Sequence, residues 1–106
     1  MVDHQAEREE WALIARARSG GQPAATAWAA IVREHQDHVF TLCLRMMGDR
    51  DTAADITQET FIKAVQGISS FDQRARLGTW LYRIATTPCL TELRPLRHRT
   101  RARGDP

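Results

Sequence analysis

Between residues 24 and 47, Trp28, Ile31, Val32, Val39, Leu42, Cys43 and Met46 recur at steps of three or four, with His35 on the same line. That spacing is the 3.6-residue period of a helix with one buried face. Its second half is apolar almost all round, through Phe40, Leu44 and Met47, so neighbours must cover it from several directions. A chain of this size can bury such a helix only by wrapping the remaining residues around it. Gly48 supplies the stop.

The rest of the chain reads as helices placed to do that wrapping. Residues 5–18 form a first helix with Trp11, Leu13, Ile14 and Ala17 turned inward, broken from the second by Ser19-Gly20-Gly21-Gln22-Pro23. Asp49 or Asp51 caps a third helix over about 51–67, with Ala53, Ile56, Ala64 and Ile68 inward and Phe61 and Val65 to one side. On a different face Asp55, Gln58, Glu59 and Ile62 fall at i, i+3, i+4 and i+7. A polar and basic loop occupies 67–78. A last helix begins near Thr79, carries Trp80, Leu81, Ile84 and Ala85 inward, bends or restarts at Pro88 and ends near Leu93. No segment alternates apolar and polar residues, so the fold class is all-α, a bundle of about four helices. Residues 1–96 form the domain, with the N-terminal helix inside 1–20. Residues 97–106 are Arg-rich and are expected to be a disordered start of a linker.

Charge is divided along the chain. Residues 1–66 carry ten acidic and seven basic side chains, whereas 67–106 carry three acidic and eight basic ones. Two partners of different kind are expected, with the basic end compatible with phosphates, although a solvated basic tail has the same composition. No apolar run reaches the length of a membrane span and no secretory signal opens the chain, so a cytoplasmic protein without membrane insertion is expected. Cys43 and Cys89 have no CxxC spacing and sit among apolar residues, as buried structural thiols do.

Two strings identify a relationship. Gly48-Asp49-Arg50-Asp51-Thr52-Ala53-Ala54-Asp55-Ile56-Thr57-Gln58-Glu59-Thr60-Phe61-Ile62-Lys63-Ala64 and Thr79-Trp80-Leu81-Tyr82-Arg83-Ile84-Ala85, the latter followed by Cys89-Leu90-Thr91-Glu92-Leu93-Arg94, together resemble region 2 of the extracytoplasmic-function (ECF) group of sigma factors in the sigma-70 family. The resemblance covers about residues 24–100. It implies that the third helix docks on the coiled coil of the beta-prime subunit of core RNA polymerase through Asp55, Gln58, Glu59 and Phe61, with Ile62 beside them. It further implies that the loop and last helix bind the non-template strand of the minus-ten promoter element. Melted bases need flat surfaces and their phosphates need cations. Phe71, Arg74, Arg76, Trp80, Tyr82, Arg83, Thr86, Thr87 and Arg94 supply such groups. Read from the residues alone, Trp80 is also a core anchor and Phe71 a plug beneath the loop. An anti-sigma protein is a further implied partner.

The sequence departs from the family pattern at Ala54 (glutamate is usual), Thr87 (asparagine) and Thr91 (aspartate), with Pro88 next to Thr87. These changes point to a shifted or weakened promoter preference. Family members carry a second helical domain, so the expectation is an excised domain ending in linker rather than a stand-alone variant. No catalytic residue, metal ligand or cofactor is assigned. Two other readings stay open: a sigma-like decoy that binds polymerase or a regulator without opening DNA, and a helical metalloenzyme using His35 and His38 with Glu34 and Asp37.

Overall fold

A computed structural model describes residues 4–104 and, among them, the side chains of residues 4–93. Four α-helices follow one another: α1 His4–Ser19, α2 Gly21–Met47, α3 Arg50–Gly67 and α4 Leu77–Gly104, with a short 3-10 turn at Ile68–Ser70 between the last two. Every described element is helical, in agreement with the all-α expectation.

Local chemistry sets the helix ends. The α1–α2 junction is the single residue Gly20; it and Gly21 have φ of 78° and 65°, a left-handed backbone that a side chain would disfavour. At the other end of α2, Gly48 is left-handed and donates its N–H to the Leu44 carbonyl at 2.7 Å. Asp49 rather than Asp51 caps α3. Its carboxylate accepts the Thr52 N–H at 2.8 Å and the Thr52 hydroxyl as well, and both bonds hold its carboxyl below the ordinary carboxylate range.

α2 packs against α1, α3 and α4, so the helix with the longest apolar stripe is the one all others touch. The core holds Ile14 from α1, Ile31, Val39 and Cys43 from α2, Ile56 and Ala64 from α3, and Leu77, Leu81, Ala85 and Cys89 from α4. The two thiols are buried as expected; burial first, and the Cys43 thiol second, push that of Cys89 up to about 12. Trp11 departs from its expected inward position: it is 48% exposed, because Ile14 and Ala17 take the contact face of α1.

α4 also departs from expectation. It is one unbroken helix through Pro88 and Pro95 to Gly104, where the sequence predicts a bend at Pro88 and an end near Leu93; the linker expected over 97–106 runs past the described residues. Pro88 is buried. A mid-helix proline forfeits one hydrogen bond and disturbs the preceding turn, at roughly 3 kcal/mol. Packing of Leu81, Ala85 and Cys89 against α2 and α3 opposes that loss. Beyond Leu93, Pro95 carries the same local cost, while Leu96, Ala102 and the five arginines between Leu93 and Gly104 are good helix formers.

His35 is half-buried on α2, and its ring lies against Gly78 in the first turn of α4. Burial lowers its pKa below the ordinary 6.5; His38 and Arg76 act in the same direction, and Glu34 and Glu10 oppose it. The folded chain therefore prefers the neutral imidazole. As pH falls through 6.5, the unfolded chain gains a proton that the folded chain resists, so stability decreases toward acid. Thermal unfolding should show a larger drop in Tm between pH 7.5 and 5.5 for the wild type than for His35→Gln.

Candidate functional site

Two surfaces collect the residues singled out in the sequence. On α3, Asp55, Gln58, Glu59 and Ile62 are all exposed, Ile62 by 51%. Glu59 is paired with Lys63 at 3.1 Å, an i,i+4 surface bridge that a partner displaces at little cost. Phe61 does not share this exposure. Its ring is 9% exposed and turns toward α2, because three positions beyond Gln58 and one before Ile62 the helix has rotated onto its packed side. The ring instead lines an apolar groove of about 550 Å³ between α2 and α3. Val32, Gln36 and Phe40 form one wall, and Gln58, Ile62 and Val65 the other. The α2 wall was absent from the sequence assignment, although Val32, Gln36 and Phe40 stand at i, i+4 and i+8, which places them in one row. Arg50 lies 5.5 Å from the centroid of the Phe40 ring, at the start of α3.

The second surface is the connection from α3 to α4 and the outer side of α4. Phe71 is 5% exposed and stacks on Trp80 with centroids 4.7 Å apart and planes 28° apart. Phe71 is thus enclosed by its own fold, the position that its reading as a plug beneath the loop requires, and its ring shows little free face. Trp80 is half-buried as the other half of that stack.

Beyond Phe71 the backbone turns on Asp72, whose carboxylate accepts the Arg74 N–H at 3.1 Å and pairs with the Arg74 guanidinium at 3.4 Å. Gln73 follows the left-handed path, with φ of 62°. Arg74 reaches fully into solvent. Arg76 is engaged: its Nε and Nη2 donate to the two carboxylate oxygens of Glu10 at 3.0 and 3.2 Å. On α4, Tyr82 is 38% exposed and Arg83 and Thr87 are exposed, while Thr86 is half-buried. The Thr86 and Thr91 hydroxyls donate to the Tyr82 and Thr87 carbonyls at 2.7 and 3.0 Å, so each presents oxygen lone pairs outward rather than a proton. The side chain of Arg94 lies outside the described residues.

α1 also reaches this surface, through residues that the sequence assignment did not include. Glu10 and Arg18 bond to the loop across 66 and 50 residues of sequence, separations over which periodicity carries no signal.

The profile of Sigma-70 region 2 matches residues 31–99. The chain belongs to the sigma-70 region 2 family. Among curated relatives, the region is 46% identical over 68 residues to the ECF RNA polymerase sigma factor SigW of Bacillus subtilis, covering 64% of this chain and 36% of that protein. It is 37% identical over 76 residues to the ECF sigma factor SigE of Mycolicibacterium smegmatis, covering 72% of this chain and 29% of that protein. The chain thus spans about a third of the length of these relatives. A solved structure described as an engineered region 2 of sigmaE in complex with GTAAAA is similar with a TM-score of 0.70 and 33% identity, over 85% of this chain and 90% of that one. The sigma-70 region 2 match begins at Ile31 and so leaves α1 outside it. No helix among the described residues is long and apolar enough to cross a membrane.

Proposed function

We propose that this region 2 docks on core RNA polymerase through the α2–α3 groove and holds the unpaired non-template strand of the minus-ten element along the loop and α4, directing transcription initiation. The observation that carries the proposal is the likeness, over most of the chain, to a region 2 described in complex with GTAAAA. The geometry supports the division of labour. The groove offers apolar lining at Phe40, Phe61, Ile62 and Val65 with the amides of Gln36 and Gln58 and the carboxylate of Asp37 among it, and Asp55 and Glu59 stand exposed on the same helix α3, the composition of a protein contact with an apolar centre and polar edge. Its intended occupant is the beta-prime coiled coil.

The second surface is suited to a flexible polyanion. Tyr82 gives an exposed ring for stacking, and Arg74 and Arg83 give cations for phosphates. Held this way, melted DNA is bound better than duplex, and the difference in binding favours the open state. Bond making in RNA belongs to the polymerase, which makes this domain a binding component rather than an enzyme and places its work in the cytoplasm. An anti-sigma protein that covers either surface would silence it. Thr87 and Thr91 stand outward where the family has amide and carboxylate groups, and the Thr91 hydroxyl turns back to the backbone, so base preference should shift from the group's usual minus-ten bases.

Fluorescence anisotropy with labelled GTAAAA and a scrambled hexamer tests the DNA half. The wild-type domain should prefer GTAAAA or a close variant. Tyr82→Ala should weaken that binding about tenfold, since one lost base stack is worth about 1–3 kcal/mol. Equal binding of every sequence by the wild type would return the decoy reading.

A further inference from the structure

We propose that α1 positions the DNA-reading loop, with Glu10 and Arg18 as its two points of attachment; the functional part of this inference rests on the reading of the loop as a DNA surface. Glu10, Ile14 and Arg18 stand at i, i+4 and i+8, so they form one row along α1. Ile14, in the middle, is fully buried and fixes the row against the core. At one end, Arg18 Nε donates to the Ile68 carbonyl at 3.0 Å and Nη2 donates to the Phe71 carbonyl. At the other end, Glu10 accepts both Arg76 nitrogens and also the Leu77 N–H at 3.2 Å. The side chain of Glu10 is only 11% exposed.

Each attachment engages backbone of the segment directly. Leu77 is the first residue of α4, so its N–H has no partner within the helix, and a carboxylate there also meets the positive end of the helix dipole. Ile68 opens the 3-10 turn, and its carbonyl takes the Arg18 bond beside the Phe71 N–H that closes the turn at 3.2 Å; the Phe71 carbonyl belongs to the extended residue after it. A rigid helix about 12 Å long between Glu10 and Arg18 thus fixes both ends of the segment that carries Phe71 and Arg74. A loop held in advance loses less freedom when a strand binds, and affinity rises accordingly. Glu10 and Arg18 are positioning residues, since they act through the loop.

The sign of the charge effect gives the proposal its test. Glu10→Ala removes a negative charge beside a polyanion, so electrostatics alone would tighten DNA binding. Loss of positioning would weaken it. Affinity for GTAAAA should fall at least tenfold in Glu10→Ala and in Arg18→Ala, and Arg18→Lys should recover part of the loss. Arg16→Ala, which removes the same charge from the same helix, should change it by less than threefold. Retention by core polymerase should be unchanged in all four, which reports an intact fold. Amide hydrogen exchange over residues 71–77 should accelerate at least tenfold in Glu10→Ala and Arg18→Ala. Should Glu10→Ala fail to fold, Glu10→Gln is measured in its place with the same expectation. Glu10 variants that bind GTAAAA as tightly as wild type or tighter, or loop exchange that stays at the wild-type rate, would overturn the proposal. A wild type that binds GTAAAA, its close variants and the scrambled strand equally would overturn the DNA reading instead, and the exchange rates would still decide the attachment.

Discussion

Ile62→Asp should abolish capture of the domain by core RNA polymerase, lowering affinity at least 30-fold while leaving the fold intact. Ile62 is half-exposed at the edge of the α2–α3 groove, so the domain itself gains little from its burial, and surface changes of this kind alter stability by about 0.5 kcal/mol or less. In a complex the same side chain would be desolvated at the centre of the contact, where truncation of a well-packed residue removes about 2 kcal/mol or more. An aspartate adds the penalty of taking a charge out of water at an apolar contact. Gln58→Ala is the gentler form of the experiment. It removes one exposed amide, and the loss of a hydrogen bond worth about 1 kcal/mol corresponds to roughly fivefold weaker retention. A pull-down with graded salt separates the two variants. Undiminished capture of Ile62→Asp would move the polymerase contact off this face.

Phe71→Ala should lower stability by about 3–5 kcal/mol, the range for removing a buried aromatic side chain, and its stack with Trp80 contributes within that sum. For a domain of this length that loss corresponds to a fall in Tm of very roughly 10–20 °C. Phe71→Leu should recover much of it, because a second apolar side chain of similar reach refills the site. DNA affinity should fall in Phe71→Ala because the loop loses its anchor. The two roles available to Phe71 separate cleanly by calorimetry. A base-stacking platform would lose affinity with Tm unchanged, whereas a plug loses Tm first.

What the sequence made legible was whatever is local. Helix α2 announced itself through Ile31, Val39 and Cys43, all of which are buried, and the exposed row Asp55, Gln58, Glu59 and Ile62 followed from spacing on α3. Orientation around a helix was less secure at the edges of a stripe. Phe61 lies between buried Thr60 and exposed Ile62, and Trp11 between half-buried Glu10 and exposed Ala12, where a rotation of 100° per residue separates core from rim. Trp11 came out and Phe61 went in. Phe71 stands in a loop, where no period assigns a direction. The backbone chemistry of Pro88 predicts an interruption, yet packing of α4 on two neighbours outweighs that chemistry. The bonds from Glu10 and Arg18 to the loop join residues that only the folded bundle brings together. The wall of Val32, Gln36 and Phe40 was visible as a row but lacked a charge or motif to distinguish it from core.

The separation of the two faces is tested most directly by amide chemical-shift mapping of the 106-residue chain, titrated once with GTAAAA and once with an isolated beta-prime coiled-coil fragment. The expected result is two sets of perturbed residues with little overlap. The coiled coil should move signals from Val32 to Phe40 and from Gln58 to Val65, and the oligonucleotide should move those from Asp72 to Arg76 and from Tyr82 to Thr87. If the oligonucleotide perturbed the α2–α3 groove, or if both ligands perturbed one common set, the assignment of a protein face and a DNA face would be contradicted.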